Sequence, residues 1–241
     1  MHNRKESLTS RRSLIKWGIY GMGAIAVAAM PSVLNAQTMS RGKTLTFNAD
    51  DVGILNFALL LEELESAFYA AVVSSGKVVN AMELEYMNFL GSQETAHVTF
   101  LRKVLADRTL FATQDLSFNQ SSLDRILTNR NSILNAAVTL EDLGVHAYNG
   151  AGPSLTNPTY LLAAGSIVSV EARHAAGVRS LLGRPTTEPD PDRLVNDANL
   201  NASLNPFKGK AYDELYTPKQ IVAIVSSLNI LNNPINGGLV S

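Results

Sequence analysis

The chain has 241 residues, 46% of them hydrophobic, a formal net charge of -1 and no cysteine. Lack of cysteine excludes thiolate metal ligands and disulfides. Beyond residue 36, 15 Lys and Arg stand against 20 Asp and Glu with no basic block, which argues against nucleic acid as a partner.

Residues 1–36 read as an export signal, not as part of a fold. Ser10-Arg11-Arg12-Ser13-Leu14-Ile15-Lys16 holds paired arginines, Trp17 to Met30 is apolar and uncharged, and Leu34-Asn35-Ala36 offers a cleavage point before Gln37. The apolar run is shorter than the roughly 20 residues that span a bilayer, so no stable membrane anchor is expected after signal removal. The segment resembles twin-arginine (Tat) signals. That resemblance implies the Tat export machinery as a partner and a periplasmic or other extracytoplasmic location. His2 would leave with the signal.

Residues 37–50 are polar and read as a linker. Asp50 or Asp51 is placed to cap a first helix running through Ile54 to Leu61 and on to about Val73, with Ser74-Ser75-Gly76 ending it. A second helix is expected from about Ala81 to Ala106, with Met87, Leu90, Glu94, His97, Leu101 and Val104 on one stripe. Asp107 to Ser122 is irregular and suits a long crossover. A third helix starts at Leu123 or Asn131 and ends at Tyr148, before Asn149-Gly150-Ala151-Gly152-Pro153. The fourth runs from Pro158 to Leu182 and stops at Gly183. Residues 184–241 form a C-terminal extension, rich in Pro, Asn and Asp at first, in which Thr217-Pro218 opens a short amphipathic helix. No segment alternates as a strand would, so the class is all-α and residues 51–183 form the bundle.

Glu94-Thr95-Ala96-His97 and Glu171-Ala172-Arg173-His174 are Glu-x-x-His pairs, and a spacing of three puts both side chains on one helix face. Each follows an earlier Glu that has a Tyr seven residues on: Glu62 with Tyr69, and Glu141 with Tyr148. Glu94, His97, Arg102 and Leu105 map onto Glu171, His174, Arg179 and Leu182 at an offset of 77, while Glu62 and Tyr69 map onto Glu141 and Tyr148 at 79. The chain is therefore an internal repeat whose halves each contribute two carboxylates and one imidazole. Four buried carboxylates without counter-ions are prohibitively costly, and two divalent cations resolve that cost. Oxygen and imidazole donors without sulfur suit Fe or Mn. The predicted metal ligands are Glu62, Glu94, His97, Glu141, Glu171 and His174. Glu65, one turn from Glu62, could replace or supplement it.

Tyr69 and Tyr148 face the same interior and are expected to hydrogen-bond the ligands or pass electrons. Arg102 and Arg179 should pair with carboxylates at the helix ends. Glu63 and Asp142 lie about 100° from the ligand faces and are expected in solvent. His146, about 140° from Glu141, is expected at the surface or behind the ligands.

These residues resemble the ferritin-like superfamily, whose members include bacterioferritin, rubrerythrin and manganese catalase. Asn56 to Glu62 with Phe68-Tyr69, Glu141 to Val145 with Ala147-Tyr148, and Glu171 to His174 are most similar to exported ferritin-like proteins related to desiccation-associated proteins. The resemblance covers about Asp51 to Leu182 and implies an antiparallel four-helix bundle with a long crossover. By position it makes Glu62 and Glu141 terminal ligands, and Glu94 and Glu171 bridges beside His97 and His174. The residues alone leave bridging and terminal roles open. The function implied is a dinuclear Fe or Mn oxidoreductase acting on O2 or peroxide, in stress protection. Two other outcomes remain open: a metal-free stress or binding protein, and iron storage, which would need a large closed homo-oligomer.

Overall fold

In a computed structural model of the chain, residues 42–187 and 213–241 are described; the predicted export signal and much of the Pro-rich segment lie outside them. The first long helix, α1 (Asp51–Ser75), starts where the Asp50 carboxylate accepts the Gly53 N–H at 2.7 Å and ends at Gly76, whose φ of 64° favours glycine. The second, α2 (Ala81–Leu105), is capped by Asn80. Of the two starts expected for the third helix the later one is found: α4 (Arg130–Ala151) is separate from the short α3 (Gln120–Ile126), because Asn119 and Asn129 each cap a new start, and it runs on past Tyr148. After a 3-10 turn, α5 (Pro158–Leu181) begins with Asn157 as cap and Pro158 in its first turn.

Contacts between helix ends fix the topology. Asp51, opening α1, accepts the N–H groups of Thr156 and Asn157 just ahead of α5, so α1 and α5 start at the same end. Arg130, opening α4, pairs with Glu83 in the first turn of α2 and donates to the Leu181 carbonyl closing α5. Hence α2 and α4 start at the other end, and α1–α2 and α4–α5 are antiparallel hairpins. The crossover, residues 106–129, returns along the bundle. It leaves from Arg108, which donates to the Tyr160 hydroxyl, and arrives at Arg130. This is the all-α, ferritin-like four-helix arrangement.

Nearly every residue from Gly53 to Ser66 of α1 is buried, charged ones included. A helix covered on all sides reads apolar all round, and here the crossover and chain ends complete the cover. Fully buried Asn56 donates to the Arg108 carbonyl at 3.0 Å and accepts the Leu110 N–H at 2.8 Å, which ties the crossover to α1. The described part of the expected linker is not a solvated tether. Leu45 and Phe47 are buried, and Phe47 meets Phe57 edge-on at 5.5 Å.

One element departs from the strand-free expectation. β1 (Leu45–Thr46) pairs in parallel with β2 (Ile235–Asn236). Two residues are too few to show a period of two, and the partners lie at opposite chain ends. Asn233 fastens the same corner: it accepts the Ser117 N–H and donates to the carbonyls of Lys43 and Asp115. The short helix α6 (Pro218–Leu228) has the Thr217–Gln220 capping box and packs Ile221 and Val225 inward on α4. Replacing Asn56 with Ala strands the Leu110 N–H and Arg108 carbonyl. The expected loss is about 2 kcal/mol of unfolding free energy, read from urea denaturation.

Candidate metal centre

Glu62 comes from the middle of α1, Glu94 and His97 from α2, Glu141 from α4, and Glu171 and His174 from α5. All six meet in the bundle interior, with the four carboxylates fully buried. Each helix contributes because its acidic side chain occupies an inward stripe otherwise filled by residues such as Leu90, Leu101 and Val178.

The oxygens divide unequally. His97 Nδ1 lies 3.1 Å from Glu62 Oε2, 3.0 Å from Glu94 Oε2 and 3.0 Å from Glu171 Oε1. His174 Nδ1 lies 2.8 Å from Glu94 Oε1, 3.2 Å from Glu141 Oε2 and 3.7 Å from Glu171 Oε2. Glu94 and Glu171 thus each turn one oxygen toward either imidazole, whereas Glu62 faces only His97 and Glu141 only His174. Two groups result: Glu62, Glu94, His97 and Glu171, and Glu94, Glu141, Glu171 and His174, each with ligand atoms within 4.8 Å of one another. The imidazole rings stand 6.4 Å apart.

Several of these close atoms form no aligned hydrogen bond. Both Glu171 oxygens, Glu94 Oε1, Glu141 Oε2 and both His174 ring nitrogens are buried without such a partner, although neighbours lie near 3 Å. They fall short of hydrogen-bond geometry, yet the ligand atoms of each group crowd within 4.8 Å of one another, leaving room for a shared partner. Orphaned buried polar atoms are costly, and a cation in each group would satisfy them together. The donor set, oxygen and imidazole only, fits Fe or Mn.

Electrostatics carry the same signature. Burial pushes the Glu62 carboxyl up, and the Glu171 charge adds to it, reaching about 8. Burial also raises Glu141 well above the usual carboxylate range. For Glu171 burial is outweighed by the attraction of the His174 and His97 imidazoles beside it, which holds it at about 2. For His97 burial, which lowers, is overcome by Glu171, Glu62 and Glu94, which raise it to about 12; His174 is raised in the same manner. Without metal, the site therefore holds itself together with protons.

The tyrosines cross between hairpins. Tyr148, on α4, donates to Glu62 Oε1 on α1 at 2.5 Å, and Tyr69, on α1, donates to Glu141 Oε1 on α4. Each steadies the carboxylate of the opposite half. Sequence spacing put each tyrosine near the glutamate of its own helix and missed this exchange. Tyr86 was also missed. Its hydroxyl lies 3.5 Å from the His174 carbonyl, and a Cβ on Gly177 would stand 1.9 Å from it. Gly177, three residues after His174, was the available signal.

Glu63 and Asp142 are not in solvent. Buried Glu63 accepts two bonds from Arg102, at 3.0 and 2.5 Å, and one from Thr113, because the crossover covers that face. Asp142 accepts from Arg179 at 2.6 Å. The expected arginine–carboxylate pairs thus occur in both halves of the repeat. His146 is buried rather than at the surface; it belongs to neither ligand group and meets the Tyr216 ring edge-on at 4.5 Å under the C-terminal extension. Glu65 is buried one turn from Glu62 and lies outside both groups.

A four-helix bundle enclosing a carboxylate–histidine cluster able to hold metal defines a recognisable class. Residues 50–184, more than half of the chain, match the ferritin-like domain family. The protein belongs to that family. No curated protein matches the chain.

The proton holding makes a pH prediction. Folded Glu62 keeps its proton to about 8 against 4.5 ordinarily, and His97 to about 12 against 6.5. The folded state therefore binds more protons than the unfolded one from about 4.5 upward, so metal-free stability falls as pH rises through this range to about 8. Metal competes with those protons and binds better as pH rises. Thermal melts from acid to mildly alkaline pH should slope downward in chelator and level or upward with Mn²⁺. Tyr148→Phe should leave the metal-free helical content unchanged and weaken metal affinity roughly 10-fold to 100-fold, measured by calorimetric titration.

Proposed function

We propose that this is an exported ferritin-like oxidoreductase with a dinuclear Fe or Mn centre that acts on O2 or peroxide. The observation that carries the reading is the sharing of Glu94 and Glu171 between two ligand groups. One shared carboxylate would serve a single ion with a neighbour; two, on opposite hairpins, suit a pair of ions. Charge supports the number, since four carboxylates balance two divalent cations while both imidazoles stay neutral.

Two redox-active ions bound together would supply the electrons exchanged with O2 or peroxide. The chain's part is to hold and tune them. Glu94 and Glu171 would hold both ions, Glu62 with His97 would complete one set of donors and Glu141 with His174 the other, and Tyr148 and Tyr69 orient Glu62 and Glu141. The surrounding Leu59, Leu60, Leu90 and Leu134 exclude water. Tyr69 and Tyr148, raised by burial and by the Glu141 and Glu62 charges respectively, keep their phenolic protons and so act as donors to those carboxylates.

Export rests on the paired arginines and apolar run of residues 11–30. Among the described residues, no helix is long and apolar enough to cross a membrane. With the likeness of Asn56 to Tyr69 to desiccation-related exported proteins, this supports a place in envelope defence against oxidative stress.

Elemental analysis of the exported protein should find about two Fe or Mn per chain, and a Glu171→Ala, His174→Ala variant should lose both. A metal-free native protein would overturn the reading in favour of a bundle kept for binding or stability alone. A large closed oligomer on a sizing column would favour iron storage.

A further inference from the structure

The two halves of the repeat differ at one position that faces the centre. At the offset relating Glu62 to Glu141 and Tyr69 to Tyr148, Glu65 corresponds to Gly144. In space they meet. Glu65 Oε1 lies 3.3 Å from where a Gly144 Cβ would stand, and Glu171 Cγ and Oε2 lie 3.4 and 3.5 Å from the same point. The glycine thus opens a niche that Glu65 enters from α1 and a shared ligand borders from α5. A second glutamate at 144 would collide there.

The niche leaves one oxygen of Glu65 unsatisfied. Its side chain is only 2% exposed, and Oε2 has no hydrogen-bond partner. The charges acting on it are those of Glu171, Glu62, Glu94 and Glu141. A buried carboxyl with an unpartnered oxygen among four others is costly, and packing alone would be better served by an apolar side chain. Glu63, two residues away and also buried, shows the contrast: its Oε1 accepts from both Arg102 and Thr113.

We propose that Glu65 is a seventh ligand, and the fifth carboxylate, that joins the shell of one ion, so that the two metal positions are inequivalent despite the repeat. This rests on the dinuclear reading above. The six repeated ligands form a set with approximate twofold symmetry and charge for two divalent ions. Glu65 adds an oxygen donor and a negative charge on one side only, across from a glycine that can supply neither. That ion is bound more tightly and in a more oxygen-rich shell than its neighbour.

Co²⁺ titrated into metal-free protein tests this, with stoichiometry and affinity from calorimetry and coordination number from the visible bands. Wild type should take two ions with separable affinities. Glu65→Ala and Glu65→Gln should both still take two, with the tighter ion weakened roughly tenfold or more and its bands intensified as a ligand is lost. Metal-free circular dichroism should be unchanged in both variants, and their metal-free melting no lower than that of wild type, since a costly buried carboxyl has been removed. Two ions bound as in wild type by both variants would overturn the proposal, as would rescue by Glu65→Gln alone, which marks a packing role. If wild type takes no Co²⁺, the dinuclear reading fails with it; if wild type takes two and the variants are unaltered, only the role of Glu65 fails.

Discussion

Four carboxylates and two imidazoles in the interior of a helical bundle set the terms for everything around them. Each carboxylate faces water-free surroundings and like charges, and the cost of leaving it bare is several kcal/mol. The fold answers by pairing rather than by exposure. Glu94 and Glu171 each reach both imidazoles, and Glu62 and Glu141 each accept a tyrosine hydroxyl from the other hairpin. The centre is therefore the place where the two hairpins are joined, and the surrounding leucines keep it dry.

Around this centre the bundle uses polar contacts at its ends and along its crossover. Arg130 with Glu83 and Asp51 with Thr156 lock helix starts together, and Asn56 and Asn233 hold irregular backbone against α1 and the chain ends. The Glu63–Arg102 and Asp142–Arg179 pairs repeat in both halves. Such pairs hold α1 to α2 and α4 to α5, so each hairpin is braced independently of the ligands.

Much of this was legible in the residues. Asp50 and Gly76 marked the ends of α1, the paired Glu-x-x-His motifs and upstream glutamates marked the interior faces, and their repetition marked two hairpins. What escaped was set by contacts between distant parts of the chain. Leu45 and Phe47 read as linker because β2 and Phe57 lie far along the sequence or on another face. Glu63 read as solvated because helical projection does not know that the crossover covers it, and His146 could be placed at the surface or behind the ligands because its cover comes from the distant C-terminal extension. The division of oxygens among Glu62, Glu94, Glu141 and Glu171 requires knowing how four helices face one another, which no single-helix spacing contains.

The exchange of tyrosines between hairpins has a consequence for assembly. Neither hairpin alone orients its own outer carboxylate: α1 brings Glu62 but borrows the hydroxyl of Tyr148, and α4 brings Glu141 but borrows that of Tyr69. A chain still being threaded offers an ion only loose, half-oriented carboxylates. Any ion the centre takes would therefore meet these two carboxylates in their final orientation only once the hairpins have docked.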